Sequence, residues 1–243
     1  MDFVQLDKDL LRSVRNDEYA GYDPFDFLNS SLLRKSGLDR NELVRLAWLQ
    51  LGKRLPVNFR HLVGVPKRRN PKGVGLFILG MLEDYSRTSD DCFLHEAEVL
   101  ADWLLTQKSE EAVWQYPCWG YHFNWQARAF FVPSGKPNII TTCYVARALY
   151  GLGKILERDN FIDASFGAAR FIHERLLTKA DGRTFFAYIP GESAFVHNAS
   201  LWGAAWVAQV GYELGEHDLQ DSAMEVALQS VSEQHHDGSW VYG

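Results

Sequence analysis

The chain has 243 residues, of which 47% are hydrophobic, 14% aromatic and 23% charged. This composition excludes a disordered chain, because it can bury enough apolar surface to offset the entropy lost on folding. The formal net charge of −6 argues against a nucleic-acid partner, since it offers no broad basic field to neutralise phosphates. The one basic cluster, Lys67 to Arg69, is interpreted as a solvated loop rather than a polyanion site.

The N-terminal residues and the cysteines indicate the cellular compartment and the redox state of the thiols. Residues 1–15 carry three aspartates and lack the basic start and apolar run of a signal peptide. No uncharged apolar stretch reaches the roughly 18 residues of a membrane-spanning helix. The wide spacing of Cys92, Cys118 and Cys143 suits reduced thiols better than disulfides. We therefore expect a cytoplasmic protein without a membrane span.

The predicted helices fall into two groups along the chain. Upstream we expect an outer helix over Asp2 to Ala20, a short inner one over Phe27 to Lys35 and an outer one over Asp39 to Arg54. From Val74 onward, a pair of helices followed by a long aromatic loop recurs about every 60 residues. The predicted pairs are 74–87 with 91–107, 139–157 with 161–177, and 199–215 with 219–234.

The two helices of each pair differ in pattern. The leading helices are apolar nearly all round and rich in Gly and Ala, which is typical of helices buried on every side. The trailing helices have apolar residues at three- and four-residue spacing with charges between them, which predicts one buried face. Plausible N-caps are Asp159 or Asn160 and Asp218 for trailing helices, and Asn138 and Asn198 for leading ones.

An apolar inner ring inside an amphipathic outer ring predicts an all-α fold of the (α/α)6-toroid type, built from helical hairpin repeats. We predict a single domain over residues 1–243. About four inner and five outer helices are predicted, fewer than the roughly six of each in a closed ring, so the domain is expected to be truncated at its C-terminal end. Short turns within the pairs place the long loops at the opposite end, where a site is expected. The one strand signal is over residues 184–189.

The loop from Tyr116 to Arg128 combines flat rings with hydrogen-bonding groups. Sugars have apolar C–H faces and a rim of hydroxyls, which suit aromatic platforms flanked by polar side chains. The alternative is that the rings only plug the end of the helical ring, although the polar residues would be costly to bury without partners. The substrate-binding residues predicted in this loop are Trp119, His122, Asn124, Trp125, Gln126 and Arg128.

The three candidates for proton transfer are Asp26, His197 and Tyr121. Asp23 and Asp26 flank Pro24 and could do acid–base work at a glycosidic bond, with Asp26 the better candidate. Alternatively, Asp23 primes the turn and Asp26 caps the next helix. His197 begins an inner helix, where the helix N-terminus favours an anion such as a uronate, and capping does not explain it. Tyr121 is the third catalytic candidate.

Further aromatic residues lie in the last repeat. Trp202 and Trp206 are one turn apart in the third inner helix, and we expect Trp202 to contact substrate. The segment Gln234 to Trp240 resembles the QW motif of triterpene cyclases, in which Gln and Trp tie helix ends together, so the resemblance implies a structural role. Trp240 and Tyr242 remain candidate ring contacts for a ligand.

Several chemical signatures are missing from the sequence. It has no acid motif of the cyclases, no Asp-Asp-x-x-Asp magnesium site, and no His-x-x-x-His, Cys-x-x-Cys or Gly-rich phosphate loop. Asp90 to Cys92 resembles the zinc pair of protein prenyltransferases but starts an outer helix on the short-loop face. We expect no metal and no cofactor.

Four motifs together resemble a bacterial toroid family found with exopolysaccharide biosynthesis genes. They are Tyr22-Asp-Pro-Phe-Asp-x-Leu-Asn-Ser30, Asn70-Pro-Lys-Gly73 after Asn58-Phe-Arg60, Trp119-Gly-Tyr-x-Phe-Asn-Trp-Gln-x-Arg128 and Asp237-Gly-Ser-Trp240. The resemblance spans nearly the whole chain and implies a fold related to six-hairpin glycosidases and terpenoid cyclase toroids. Members of that family continue for about two more inner helices, which implies that this sequence is the N-terminal portion of a longer protein.

The leading hypothesis is a carbohydrate-active protein that acts on or binds a polysaccharide or its precursor in a cleft built by the long loops. If it is an enzyme, we expect a glycoside hydrolase, a polysaccharide lyase or an epimerase-like reaction. A non-catalytic glycan-binding or assembly module, associated with polysaccharide biosynthesis machinery, is the first alternative. An isoprenoid-handling toroid is the second, and the polar residues among the rings argue against it.

Overall fold

The computed structural model describes residues 3–127 and 130–241. Arg128 and Tyr242, both predicted to contact a ligand, lie outside the described residues. The helices are α1 (Phe3–Asn16), α2 (Ser31–Ser36), α3 (Glu42–Arg54), α4 (Pro71–Thr88), α5 (Cys92–Thr106), α6 (Glu111–Trp114), α7 (Ile139–Leu156), α8 (Asp159–Phe171), α9 (His197–Leu214) and α10 (His217–Ser232). Shorter turns are the 3₁₀ turns Asp26–Asn29 and Leu38–Arg40 and the π turn Ile172–Leu176.

Two small antiparallel ladders accompany the helices. Strand β1 (Trp125–Gln126) pairs with β2 (Phe131–Val132), and β3 (Leu177–Ala180) pairs with β4 (Arg183–Phe186). Helices dominate the described part of the chain, so the prediction of an all-α fold is confirmed.

The chain divides into two compact units. The first unit contains residues 1–70 and 122–135, and the second contains residues 71–121 and 136–243. The single domain over residues 1–243 stays a prediction.

The first unit packs α3 against the turns that precede it. Its buried centre is Leu28, Leu33 and Leu49. A side-chain carbon at Gly52 of α3 would lie 2.2 Å from the Phe27 ring, so only glycine allows this approach. The Trp48 indole donates to the Phe27 carbonyl at 3.1 Å. Partly buried side chains around this centre are Phe25, Val44, Trp48, Trp125 and Phe131.

The second unit is built on three helical hairpins, α4–α5, α7–α8 and α9–α10, and also contains α6 and the β3–β4 ladder. The leading helices also pack on one another in chain order, α4 on α7 and α7 on α9. Ten of the 18 residues of α7 are buried, which agrees with the nearly all-round apolar pattern of the inner helices. The predicted pairing of inner and outer helices is therefore confirmed for these three repeats.

Helix α7 also meets the length and composition criteria of a membrane-spanning helix. Its 18 residues have a mean hydropathy of 1.2, and 56% of them are buried inside this structure. It packs against α4, α8 and α9, as expected for the central helix of a packed unit.

Helix capping differs from the prediction for three of the four helices considered. The Asn138 side chain accepts from the Thr141 amide at 2.8 Å, so this cap is confirmed. Helices α8, α9 and α10 follow Arg158, Val196 and Glu216, none of which makes a side-chain capping bond. The N-caps predicted at Asp159 or Asn160, Asp218 and Asn198 are therefore wrong.

The tightness of the hairpin turns explains two of these differences. Glu157 and Gly215 adopt left-handed conformations that close the preceding helices. The amides of Arg158 and Glu216 then donate to carbonyls of those helices, so the next helix starts at once. The aspartates consequently lie in the first turn of α8 and α10, where the helix dipole still favours them.

A β-hairpin replaces the end of the second outer helix. The sequence predicts helix to Leu177 and a strand over 184–189, whereas β3 and β4 pair from Leu177 to Phe186. Asp181 and Gly182 connect them with φ of 51° and 74°, the positive values that a tight hairpin turn needs. The Asp-Gly pair is thus a hairpin signal that overrides the helical periodicity before it.

The segment after α10 ties back to the end of that helix. The Gln234 side chain donates to the Gly238 carbonyl at 2.9 Å, and the Trp240 indole donates to the Ser230 carbonyl at 2.7 Å. Both side chains therefore make structural hydrogen bonds, but these bonds lie within residues 230–240 and join the segment to its own helix.

Glycine at position 75 sets the distance between α4 and α7, which yields a test. A side-chain carbon at Gly75 would lie 3.1 Å from the Tyr144 carbonyl oxygen and 3.4 Å from the Val145 Cα. We expect Gly75→Ala to lower the free energy of unfolding by about 1–3 kcal/mol, because backbone atoms must move. Chemical denaturation measures this change.

Gly80 on the same helix is the matched control. No atom lies within 4 Å of a side-chain carbon placed there, so Gly80→Ala is expected to stabilise the protein by about 0.5–1 kcal/mol through helix propensity. Equal effects of the two substitutions would contradict the close approach of α4 and α7.

Candidate functional site

A row of four side chains crosses the inner helices of the second unit. We call it the strip and define it as Lys72 on α4, Tyr144 and Arg147 on α7, and Trp202 on α9. The Tyr144 and Trp202 ring centroids are 5.4 Å apart. The Lys72 ammonium lies 5.5 Å from the Tyr144 ring centre, and the Arg147 guanidinium lies 4.7 Å from that of Trp202.

The strip forms because the three helices place these residues in their N-terminal halves. Lys72 is the second residue of α4, while Tyr144 and Trp202 are each the sixth residue of their helices. Tyr144 and Arg147 are three residues apart, so they share one face of α7. The close approach at Gly75 then brings α4 near the backbone of Tyr144.

Two polar groups of the strip, on Trp202 and Arg147, make no hydrogen bond within the described part of the protein. The indole nitrogen of Trp202 is buried and has no hydrogen-bond partner among the described residues. Arg147 makes no hydrogen bond or ion pair there either, although it stacks on Trp202. Two rings, an indole N–H and two cations can contact the C–H faces, hydroxyls or carboxylate of a sugar.

The side chains of His197 and Trp240, which were predicted as separate site residues, lie near each other in the second unit. The His197 Nδ1 lies 3.3 Å from the Ser230 hydroxyl, and its Nε2 lies 3.8 Å from the Glu233 carboxylate. The imidazole packs on the Phe195 ring at 4.1 Å, with Trp240 at 6.4 Å.

Burial lowers the pKa of His197, although Glu233 opposes this shift. The imidazole therefore favours its neutral form, which can accept a proton. Arg183 holds the facing carboxylate, since its Nε donates to Glu233 at 2.8 Å.

Trp119 and Tyr121 belong to the core of the second unit. The Trp119 ring is fully buried, and its indole donates to the Leu104 carbonyl at 2.8 Å. The Tyr121 and Tyr188 hydroxyls are 2.8 Å apart, and both residues are buried. Neither side chain presents the exposed face or hydroxyl that its predicted role in ligand contact needs.

Backbone hydrogen bonds explain why this part of the loop turns inward. The Trp119 amide donates to the Thr142 hydroxyl at 3.1 Å, and the Asn138 amide donates to the Trp119 carbonyl at 3.1 Å. These bonds fix the loop to the start of α7, so the ring must enter the core.

Asp26 is a buried partner of an arginine in the first unit. Its carboxylate accepts from Arg60 Nε at 2.7 Å and from the Asp23 amide at 2.9 Å. Burial raises the pKa of Asp26, and the bond from Arg60 opposes this shift. The side chain is fully buried, so this structure gives it a positioning role rather than access to a ligand.

The non-catalytic alternative for Asp23 and Asp26, a turn role for the first and a helix cap for the second, is correct only for Asp23. Asp23 accepts from the Phe25 amide at 2.9 Å, which confirms its role in the turn. The cap predicted at Asp26 is wrong, because Ser30 accepts from the Leu33 amide and caps α2. The serine lies directly before α2, whereas Asp26 is held four residues earlier by Arg60.

The remaining loop residues divide between a core and a pocket. Trp125 packs edge-on against Phe25 and Phe130, with ring centroids 5.9 and 6.0 Å apart. Gln126 is buried and accepts from Arg45 Nε at 2.8 Å. By contrast, the structure brings His122 and Asn124 together in a polar pocket of the first unit, lined also by Asn29, Arg34, Pro66, Arg68 and Ser134.

Sequence reasoning missed three of the four strip residues. Tyr144 and Arg147 stand three residues apart on a mostly apolar inner helix, and this spacing was the available signal. Lys72 lies in the Asn70-Pro-Lys-Gly73 motif, which carried no prediction for its side chain. Within residues 3–127 and 130–241, no cluster of three His, Cys, Asp or Glu side chains could hold a metal ion.

Comparison with known proteins gives the fold but no family. No protein-family model and no curated protein matches the chain. Among solved structures, it is similar to a D-mannose isomerase, with a TM-score of 0.56 and 13% identity, covering 91% of this chain and 63% of that one.

A second likeness is to a family 76 glycoside hydrolase from a bovine Bacteroides thetaiotaomicron strain. The TM-score is 0.51 and the identity 12%, covering 84% of this chain and 46% of that one. The chain thus spans less than two thirds of the length of either of these structures. These likenesses establish an all-α fold of the α/α-toroid type.

The lowered pKa of His122 in the first unit predicts how the stability of the protein depends on pH. Burial, with a contribution from Arg68, lowers this pKa from 6.5 to about 4. Between these values the unfolded chain binds a proton that the folded protein does not, so stability falls as the pH drops from about 6.5 to about 4. We expect His122→Gln to reduce this acid-induced loss, as measured by denaturation at several pH values.

The exposed His61 of the same unit is the control. A His61→Gln protein is expected to keep the acid dependence of the unsubstituted protein. If the stability of the His122→Gln protein falls with pH as steeply as that of the unsubstituted and His61→Gln proteins, then burial does not hold His122 in its neutral form.

Proposed function

We propose that this chain is a carbohydrate-active protein that holds a polysaccharide, an oligosaccharide or a sugar precursor against the strip. The observation that carries the proposal is the pair of rings at Tyr144 and Trp202, flanked by the Lys72 and Arg147 cations. The unpartnered indole N–H of Trp202 adds a donor for a hydroxyl or ring oxygen, because a buried donor without a partner is costly.

The chemistry of the strip favours a sugar over an isoprenoid. The hydrocarbon chain of an isoprenoid diphosphate has no hydrogen-bonding group for the Trp202 indole N–H, whereas a sugar has hydroxyls for that N–H as well as for the Lys72 and Arg147 cations. The names of two solved structures of the same fold type, a D-mannose isomerase and a family 76 glycoside hydrolase, support this choice.

A second candidate function is acid–base catalysis, for which the cluster around His197 is the specific observation. A neutral imidazole faces the Glu233 carboxylate and lies near Trp240. This pair could move a proton in hydrolysis, elimination or epimerisation. Without such activity, the protein is a glycan-binding or assembly module.

The biological setting proposed here rests on the sequence resemblance. It is exopolysaccharide biosynthesis or modification in the cytoplasm, in association with the biosynthetic machinery. We also propose that the two units belong to one α/α-toroid domain.

Titration calorimetry with mannose, mannotriose and glucuronate tests the binding proposal. At least one sugar is expected to bind, and Trp202→Ala and Tyr144→Ala should each weaken binding about tenfold or more, which corresponds to roughly 1.4 kcal/mol of lost ring contact. Thermal melts verify that both variants fold.

Tyr212 provides the matched control, because it lies on α9 beyond the strip and is 81% exposed. A Tyr212→Ala protein should bind the same sugar with unchanged affinity. Full affinity in the folded Trp202 and Tyr144 variants would overturn the proposal, as would failure of the unsubstituted protein to bind any of the three sugars.

A further inference from the structure

The polar pocket of the first unit is a second built site. It lies among residues from α2, the loop before α4 and the segment around β1 and β2. Its lining contains two arginines and no acidic residue. The lining residues are Asn29, Arg34, Pro66, Arg68, His122, Asn124 and Ser134.

Hydrogen bonds within the first unit fix the floor of this pocket. Asn29 is buried, and its amide group donates to the His122 carbonyl at 3.3 Å and accepts from the Asn124 amide at 3.4 Å. The Asn124 side-chain oxygen accepts from the Ser134 amide at 2.7 Å. This orientation leaves the Asn124 side-chain NH₂ and the Ser134 hydroxyl as donors without a partner among the described residues.

The two arginines are unpaired within the described part of the chain. The Arg68 backbone is fixed by two hydrogen bonds with Gly21, each at 3.1 Å, but its guanidinium makes no hydrogen bond or ion pair there. The Arg34 guanidinium makes none either. The neighbours of Arg68 differ, because Lys67 pairs with Asp17 and Arg69 donates to the Glu18 carbonyl.

His122 adds an unused donor to the same pocket. Both of its ring nitrogens are shielded from solvent and lack a hydrogen-bond partner among the described residues. A shielded polar group without a partner is costly, which makes such a group a good contact for a ligand. In its neutral form the imidazole can donate one hydrogen bond without adding charge.

We infer that this pocket binds the phosphate group of a small phosphorylated molecule. Two guanidinium groups match the double charge of a phosphate monoester, and their planar donors suit its oxygens. The imidazole, the Asn124 amide and the Ser134 hydroxyl supply further donors for a tetrahedral group. The site belongs to the first unit and is independent of sugar binding at the strip.

Phosphate titrations at constant ionic strength test this inference, with inorganic phosphate and mannose 1-phosphate as probes. We expect binding detectable by ³¹P NMR, and Arg34→Gln and Arg68→Gln should each weaken it about tenfold or more, because each removes a charge-assisted contact. Both arginines are exposed, so these variants are expected to fold, which thermal melts verify.

Arg54 is the matched control, since it is an exposed arginine of the same unit outside the pocket lining. Arg54→Gln should leave phosphate binding unchanged. Unchanged binding in both pocket variants, or an equal loss in the control, would overturn the inference. Tighter binding of glucuronate than of either phosphate at this pocket would overturn the choice of phosphate.

A strip variant separates this inference from the proposed function. Trp202→Ala should keep full phosphate affinity, and Arg68→Gln should keep the affinity for a neutral sugar such as mannotriose. Phosphate binding lost in Trp202→Ala but kept in Arg68→Gln would assign the anion to the strip and contradict the pocket.

Discussion

The close approach of α4 and α7 at Gly75 is the constraint on which the strip depends. A side-chain carbon at this position would meet the backbone of Tyr144 and Val145, so the helices can lie this near only with glycine there. The approach brings Lys72 within reach of the Tyr144 ring. Packing of α9 on α7 then adds Trp202 to the row, so helix spacing sets the chemistry of this surface.

Competition for hydrogen bonds decides which aromatic residues can serve a ligand. Trp119 and Trp206 donate their indole N–H groups to the Leu104 and Ser165 carbonyls and are buried. Trp202 has no such partner among the described residues. All three tryptophans have similar apolar neighbours in the sequence. Whether the indole N–H is free for a ligand depends on whether a backbone carbonyl lies within hydrogen-bond distance, and only the structure shows this.

The spacing of apolar residues predicts the helical hairpins of the second unit, because a helix buried on one side needs apolar residues on that face and a helix buried on all sides needs them all round. Helix starts were less predictable, since tight turns at Glu157 and Gly215 replaced the expected aspartate caps. Of the candidate site residues, His122, Asn124, His197, Trp202 and Trp240 lie in pockets or clusters with other polar groups or rings. The sequence predicts a solvated loop at Arg68 and gives no sign of the pocket there, because the place of Arg68 beside His122 depends on contacts between distant segments.

Tryptophan indole NMR measures the central claim most directly, that sugars bind at the strip. With ¹⁵N-labelled indoles, the account predicts that a bound sugar shifts the Trp202 resonance, whose N–H gains a partner. The Trp119 and Trp206 resonances should stay in place, because their N–H groups are already bonded in the core. A sugar that binds and leaves the Trp202 indole unchanged would contradict the account.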